Sequence, residues 1–158
     1  MTLKLNFFAK SDRGLIRDNN EDSGYAGPHL LILADGMGGH AAGEVASELM
    51  VNHLEILDQD PGQEDTKALL EAAAEQANEA ISDHVKAHPE TEGMGTTLST
   101  MLFNGTDFGV CHVGDSRGYL LRDGKLKQVT KDDTYVQSLV DKGELDPVSY
   151  THLTLPTT

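Results

Sequence analysis

The apolar run His29–Ala34 stops at Asp35-Gly36, and a few residues later the hydrophobic repeat changes its period. A short continuous apolar run closed by a glycine turn reads as a buried strand. Ala42, Val45, Ala46, Leu49, Met50, Leu54 and Leu57 then recur at helical spacing, with Glu44 and Glu48 suited to the first turns, until Asp58-Gln-Asp-Pro-Gly-Gln63 breaks the pattern. A second helix is predicted from about Asp65 to about His88, with Leu70, Ala74, Ala77, Ile81 and Val85 on one side and Pro89 as its stop. Glu64-Asp65 reads as that helix's N-terminus.

The flanking segments are strand-like. Leu3–Lys10 reads as a strand, Ser11–Asp22 as a loop and Ser23–Ala26 as another strand. Downstream, strands are predicted at Thr96–Phe103, Phe108–Val113, Gly118–Arg122 and Leu126–Val129, with Asn104-Gly105 and Asp123-Gly124 as tight hairpin signals. An amphipathic helix follows from about Thr134 to Lys142, ended by Gly143. Strands, two helices and an antiparallel meander make an α+β pattern with helices packed on sheet faces.

At 158 residues the chain suits one domain. Its 26 acidic and 12 basic side chains leave a formal charge of −14, which argues against a nucleic-acid or anionic-membrane surface. Cys111, the single cysteine, sits in an apolar stretch and reads as a buried strand thiol, favouring a reducing, cytoplasmic setting. Met1–Phe8 lacks the pattern of a signal peptide, and no segment approaches the length of a membrane span.

The chemistry concentrates in two acidic clusters. Arg17-Asp-Asn-Asn-Glu-Asp-Ser23 supplies Glu21, Asp22 and a guanidinium, and Asp35-Gly-Met-Gly-Gly-His40 supplies a third carboxylate where a strand breaks into glycines. Carboxylates beside flexible backbone are what hard divalent cations require, and an arginine fork suits a phosphoryl group. Each cluster alone would more often be a polar turn. Bound cations would also offset the repulsion that so acidic a chain exerts on a phosphate. Gly93-Met-Gly-Thr-Thr97 and Val113-Gly-Asp-Ser-Arg-Gly118 follow, the latter placing Asp115 in a glycine-flanked turn between strands. His84 and His88 stand four apart without a third ligand nearby and read as a solvated helix end.

These ordered motifs, from about Leu5 to Pro147, resemble the catalytic domain of the bacterial type 2C metal-dependent Ser/Thr protein phosphatases, and most closely their actinobacterial members. The resemblance implies two antiparallel β-sheets sandwiched between helix pairs, an α-β-β-α order that is incomplete here at the C-terminus. It implies hydrolysis of phosphoserine and phosphothreonine by water activated at a binuclear Mn2+ or Mg2+ centre, with a third, weaker ion. By the same resemblance Asp35 bridges the two core ions, Gly36 offers its carbonyl, and Glu21 and Asp22 hold metal-bound waters. Arg17 grips the substrate phosphate and Asp115 holds the third ion, while a general-acid and a loop-structuring role both stay open for His40. Phosphorylated proteins, including Ser/Thr kinases and their substrates, are the implied partners.

The chain also departs from that family. Neither the SDGL-type nor the GxDN-type motif, each contributing a metal-binding aspartate, occurs in it, and Asp132 and Asp133 in TKDDT are not replacements. Residues 1–147 are therefore expected to be the N-terminal portion of a phosphatase domain. Residues 148–158, rich in threonine and uncharged from Ser149 onward, are expected to be a non-native tail. The expected fragment is a poor catalyst, and the rival reading is a catalytically dead module that binds phosphoprotein or metal.

Overall fold

The computed structural model describes residues 3–39, 41–132 and 149–154. The predicted helix at 134–142 and His40 lie outside these residues. The elements run β1 (Asp22–Ala26), β2 (Leu30–Met37), α1 (Ala42–Leu54), α2 (Thr66–Ala87), β3 (Gly95–Thr96), β4 (Leu98–Phe103), β5 (Asp107–Val113), β6 (Tyr119–Arg122), β7 (Lys125–Gln128) and β8 (Ser149–Thr154). The main antiparallel sheet has the order β1-β2-β4-β5-β8, β3 pairs with β2, and β6 and β7 form a separate hairpin. This is the α+β arrangement that the periodicities call for, with α1 and α2 flanking the sheet.

Strand alternation decides which side chains the helices cover. Leu30, Ile32 and Ala34 of β2 are buried with Leu98 and Leu102 of β4, against Ala46, Met50 and Leu54 of α1 and Leu70, Ala77 and Ile81 of α2. Leu33 and Met37, on the opposite face of β2, are 41% and 55% exposed. On that second face Phe103, Phe108 and Val110 form a smaller cluster to which Leu3, Leu5 and Met101 add. A largely apolar cavity of about 190 Å³ lies between this face and Phe8, Gly118, Val129 and Thr130.

Two expectations need correction. Leu3–Lys10 forms no strand; Leu3 and Leu5 pack instead over the Phe103–Phe108–Val110 cluster on a sheet face. Strand β2 does not stop at Asp35-Gly36 but runs on to Met37, because β3 supplies a partner for Gly36 and Met37. Ser149–Thr154, within the segment that composition sets apart, pairs antiparallel with β5 as an added strand.

Local chemistry fixes the joints. Asp65 caps α2, its Oδ1 accepting the Lys67 and Ala68 N–H groups at 2.9 and 3.3 Å. Asp58, just past the 3-10 turn Glu55–Leu57 that prolongs α1, accepts the Tyr25 hydroxyl proton and, at 2.9 Å, the His29 N–H. That bond, burial and the Asp58 charge raise the Tyr25 pKa. Asp123 and Gly124 both take positive φ, 53° and 74°, as a two-residue hairpin between β6 and β7 requires.

Asp65→Ala removes an acceptor from two helix N–H groups. Urea unfolding should show a loss of about 1 kcal/mol with an unchanged m-value, whereas no loss would mean that α2 needs no cap.

Candidate active site

Asp22 and Asp35 are direct partners in the β1–β2 ladder. Opposite residues of an antiparallel pair share a face, and β2's alternation puts Asp35 on the face away from the helices. The two carboxyl groups therefore meet at one end of the sheet. A polar pocket of about 220 Å³ opens there, lined by Asp12, Arg13, Arg17, Asn19, Asn20, Glu21, Asp22, Asp35 and Gly36. The two acidic clusters recognised in the sequence thus converge, and Arg17 stands with them.

The loop that carries Arg17 and Glu21 is held by its own polar side chains. The Asp22 N–H donates to Asn20 Oδ1 at 3.0 Å, Asn20 Nδ2 donates to Ser11 Oγ at 2.7 Å, and Asn19 Nδ2 donates to Glu21 Oε1 at 3.3 Å. Glu21's carbonyl accepts the Gly36 N–H at 3.1 Å and the Ser47 hydroxyl at 2.7 Å. Ser47 is fully buried in α1 and also pairs with Ser23 Oγ at 2.9 Å. Helix and strand approach closely here: a Cβ at Gly36 would lie 1.8 Å from the Gly43 carbonyl oxygen, and one at Gly43 2.1 Å from Glu21 Oε2. Gly43 and Ser47 support the loop that carries Glu21, and the sequence reading missed them; their small size inside an otherwise apolar helix face was the available signal.

Asp115 sits outside the pocket lining but within reach of its field. Burial, a hydrogen bond to the Asp22 carboxyl, and the charges of Asp22 and Asp115 push the Asp35 pKa up, and Arg17 opposes them. Among the described residues no group of three or more His, Cys, Asp or Glu is placed to hold a metal ion as the chain stands. Asp132 is gripped by Arg117, with Nε and Nη2 donating at 3.0 and 2.6 Å, and the guanidinium lowers its pKa. It is thus committed away from the pocket, and Asp133 lies outside the described residues. His84 and His88 stack with ring centroids 4.3 Å apart at the end of α2, remote in sequence from both clusters.

The family model for protein phosphatase 2C matches residues 5–138. The chain belongs to the protein phosphatase 2C family. It is 59% identical over 147 residues to the serine/threonine protein phosphatase PstP of Mycobacterium tuberculosis, which covers 93% of this chain and 29% of that protein. It is 37% identical over 150 residues to the serine/threonine phosphatase stp of Listeria welshimeri, covering 86% of this chain and 58% of that one. The crystal structure of the mycobacterial PstP superposes with a TM-score of 0.88 at 49% identity, over 98% of this chain and 75% of that chain. A structure of the PstP catalytic domain in complex with two manganese ions gives 0.87 at 51% identity, over 97% and 74%. The chain therefore spans under a third of the length of its mycobacterial relative and about three quarters of the solved chain. No helix among the described residues is long and apolar enough to cross a membrane.

Desolvation of Asp35 and the carboxyl of Asp22 facing it set a pH signature. A carboxyl whose pKa is raised by folding binds its proton more tightly in the native state, so stability falls as pH rises through the window from the unfolded carboxylate value to Asp35's raised one. In chelator, the melting temperature of Asp35→Asn should match wild type below that window and exceed it at neutral pH. A uniform loss of stability at every pH would contradict the raised Asp35 pKa.

Proposed function

We propose that this chain carries the core of a metal-dependent phosphoprotein phosphatase acting on phosphoserine and phosphothreonine. The observation that carries the reading is the cross-strand pair Asp22–Asp35 at the mouth of a pocket that also presents Arg17. The donor set fits a hard divalent cation: it is all oxygen, and desolvation, the Asp22 hydrogen bond and neighbouring carboxylate charges, which a cation would neutralise, hold its central carboxyl above its ordinary pKa. Mn2+ or Mg2+, when bound, supplies Lewis-acid stabilisation and water of lowered pKa. Asp35, Asp22, Glu21 and the Gly36 carbonyl would hold such ions, and Asp115 would hold a further one.

The side chains then divide the remaining work. Arg17 donates a planar fork to the substrate phosphate, orienting it and balancing charge on its oxygens. Glu21, whose carbonyl is fixed by Gly36 and Ser47, keeps its carboxylate beside the first turn of α1, where helix N–H groups favour negative charge. The phosphoprotein partners, Ser/Thr kinases and their substrates among them, and a cytoplasmic setting belong to the same proposal, as does the division into a phosphatase segment at 1–147 and a non-native tail at 148–158. The missing SDGL- and GxDN-type motifs favour a second reading, a metal- or phosphoprotein-binding module without turnover.

Kinetics separate these readings. The 158-residue chain should show at most trace Mn2+-dependent hydrolysis of a phosphothreonine peptide, and adding a family segment with both missing motifs should restore it; continued inactivity of the completed domain would favour the binding module. In the completed domain, Asp35→Asn should lower kcat by about 10²–10³-fold at every Mn2+ concentration, the scale of losing a group that stabilises developing charge. Arg17→Ala should act mainly on KM, by about tenfold or more, as loss of a charged hydrogen bond implies. Rescue of Asp35→Asn by excess Mn2+, or unchanged constants in Arg17→Ala, would refute the respective role.

A further inference from the structure

The registers of β2 with β3 and with β4 are continuous, Gly36 facing Thr96 and Leu33 facing Ser99, which puts Thr97 opposite Asp35. Two partners at a hydrogen-bonded position of an antiparallel ladder normally exchange two backbone bonds. Here one of them is replaced. The Thr97 N–H donates to the Asp35 carbonyl at 2.9 Å, but the Asp35 N–H donates to the Thr97 hydroxyl at 2.9 Å. The displaced Thr97 carbonyl accepts the Thr96 hydroxyl at 2.9 Å.

The same Thr97 oxygen lies 3.0 Å from Ser116 Oγ, next to Asp115. Its γ-methyl packs on Gly114, where an added Cβ would sit 2.6 Å away and where φ is +106°. Thr97 is 5% exposed. The Gly114–Gly118 turn is clamped on either side as well: buried His112 donates Nε2–H to the Gly114 carbonyl at 2.9 Å while its Nδ1 pairs with Ser99 Oγ at 2.8 Å, and the Gly118 N–H donates to Thr130 Oγ1 at 2.9 Å. Among these clamps, the Thr97 hydroxyl meets both the Asp35 N–H and a side chain of the turn itself.

We propose that Thr97 is a positioning residue that sets the distance and orientation between Asp35 and Asp115, one hydroxyl serving both as the ladder acceptor for the first and as the anchor of the turn that carries the second. The proposal rests on the reading of Asp35 and Asp115 as cation ligands, because their relative placement then determines how tightly the site holds its ions. Thr97→Val keeps the volume and the methyl against Gly114 but leaves the Asp35 N–H without its acceptor and Ser116 without its partner. Thr97→Ser keeps both bonds and loses the methyl.

The test compares these variants in the 15N-labelled 158-residue chain, first in chelator and then with Mn2+ alone. Without metal, Thr97→Val should move the amide resonances of Asp35, Asp115 and Ser116 together and speed hydrogen exchange at Asp35 by about tenfold, the scale of one net hydrogen bond, while Thr97→Ser stays near wild type. With metal, the Mn2+ concentration that half-broadens resonances around the pocket should rise about tenfold in Thr97→Val and return to near wild type in Thr97→Ser. A shift confined to Asp35, or a serine variant as impaired as valine, would overturn the proposal, since the methyl would then be what matters. If wild type binds no Mn2+, the cation reading fails while the metal-free amides still decide Thr97's role. Should Thr97→Val not fold, Ser116→Ala cuts only the second bond: a displaced Asp35 amide supports the coupling, and an unmoved one refutes it.

Discussion

Two carboxyl groups placed directly opposite each other on neighbouring strands repel, and the site depends on the structure that forces them to stay there. Like charges at a cross-strand position are destabilising. The ladder between β1 and β2 nevertheless holds Asp22 against Asp35, and the Asp35 pKa responds by rising. Arg17 offsets part of this charge. The proposed cation would neutralise what remains.

The surrounding contacts are of the kind that resist this repulsion through the backbone. Gly36 and Gly43 let α1 come so near β2 that any side chain at either position would strike the other element. Ser47 reaches from the helix to the Glu21 carbonyl, and Thr97 reaches from the neighbouring strand to the Asp35 N–H. None of these contacts uses a carboxylate oxygen of Asp22, Asp35 or Asp115. Main-chain anchoring leaves the acidic oxygens available to a ligand, which is how a preorganised site is built.

Much of this was legible in the amino-acid order. The run at 29–34, the helical spacing from Ala42 and the Asp123-Gly124 turn carried strong local signals, and β2, α1 and the β6–β7 hairpin formed where they pointed. The convergence of Arg17, Glu21, Asp22 and Asp35 followed from motif order. What the sequence could not show was non-local. The end of β2 depended on a two-residue partner, β3, lying some 60 positions later. Leu3–Lys10 had strand-like composition, but Leu3 and Leu5 pack on a sheet face instead of joining a ladder. Thr97 looked like one threonine of a glycine-rich turn, and its use as a ladder acceptor emerges only from the pairing of distant strands. The Asp132 carboxylate likewise found its partner, Arg117, only through the fold.

The central claim is that the Asp22–Asp35 pair is a cation site, and thermal unfolding of the 158-residue chain against Mn2+ concentration tests it most directly. A ligand that binds only the native state raises stability with the logarithm of its concentration once above its dissociation constant. The account predicts a melting temperature that climbs with Mn2+ in wild type, with the climb abolished in both Asp22→Asn and Asp35→Asn although each variant folds in chelator. A wild-type melting temperature indifferent to Mn2+, or an equal climb in the two variants, would contradict it.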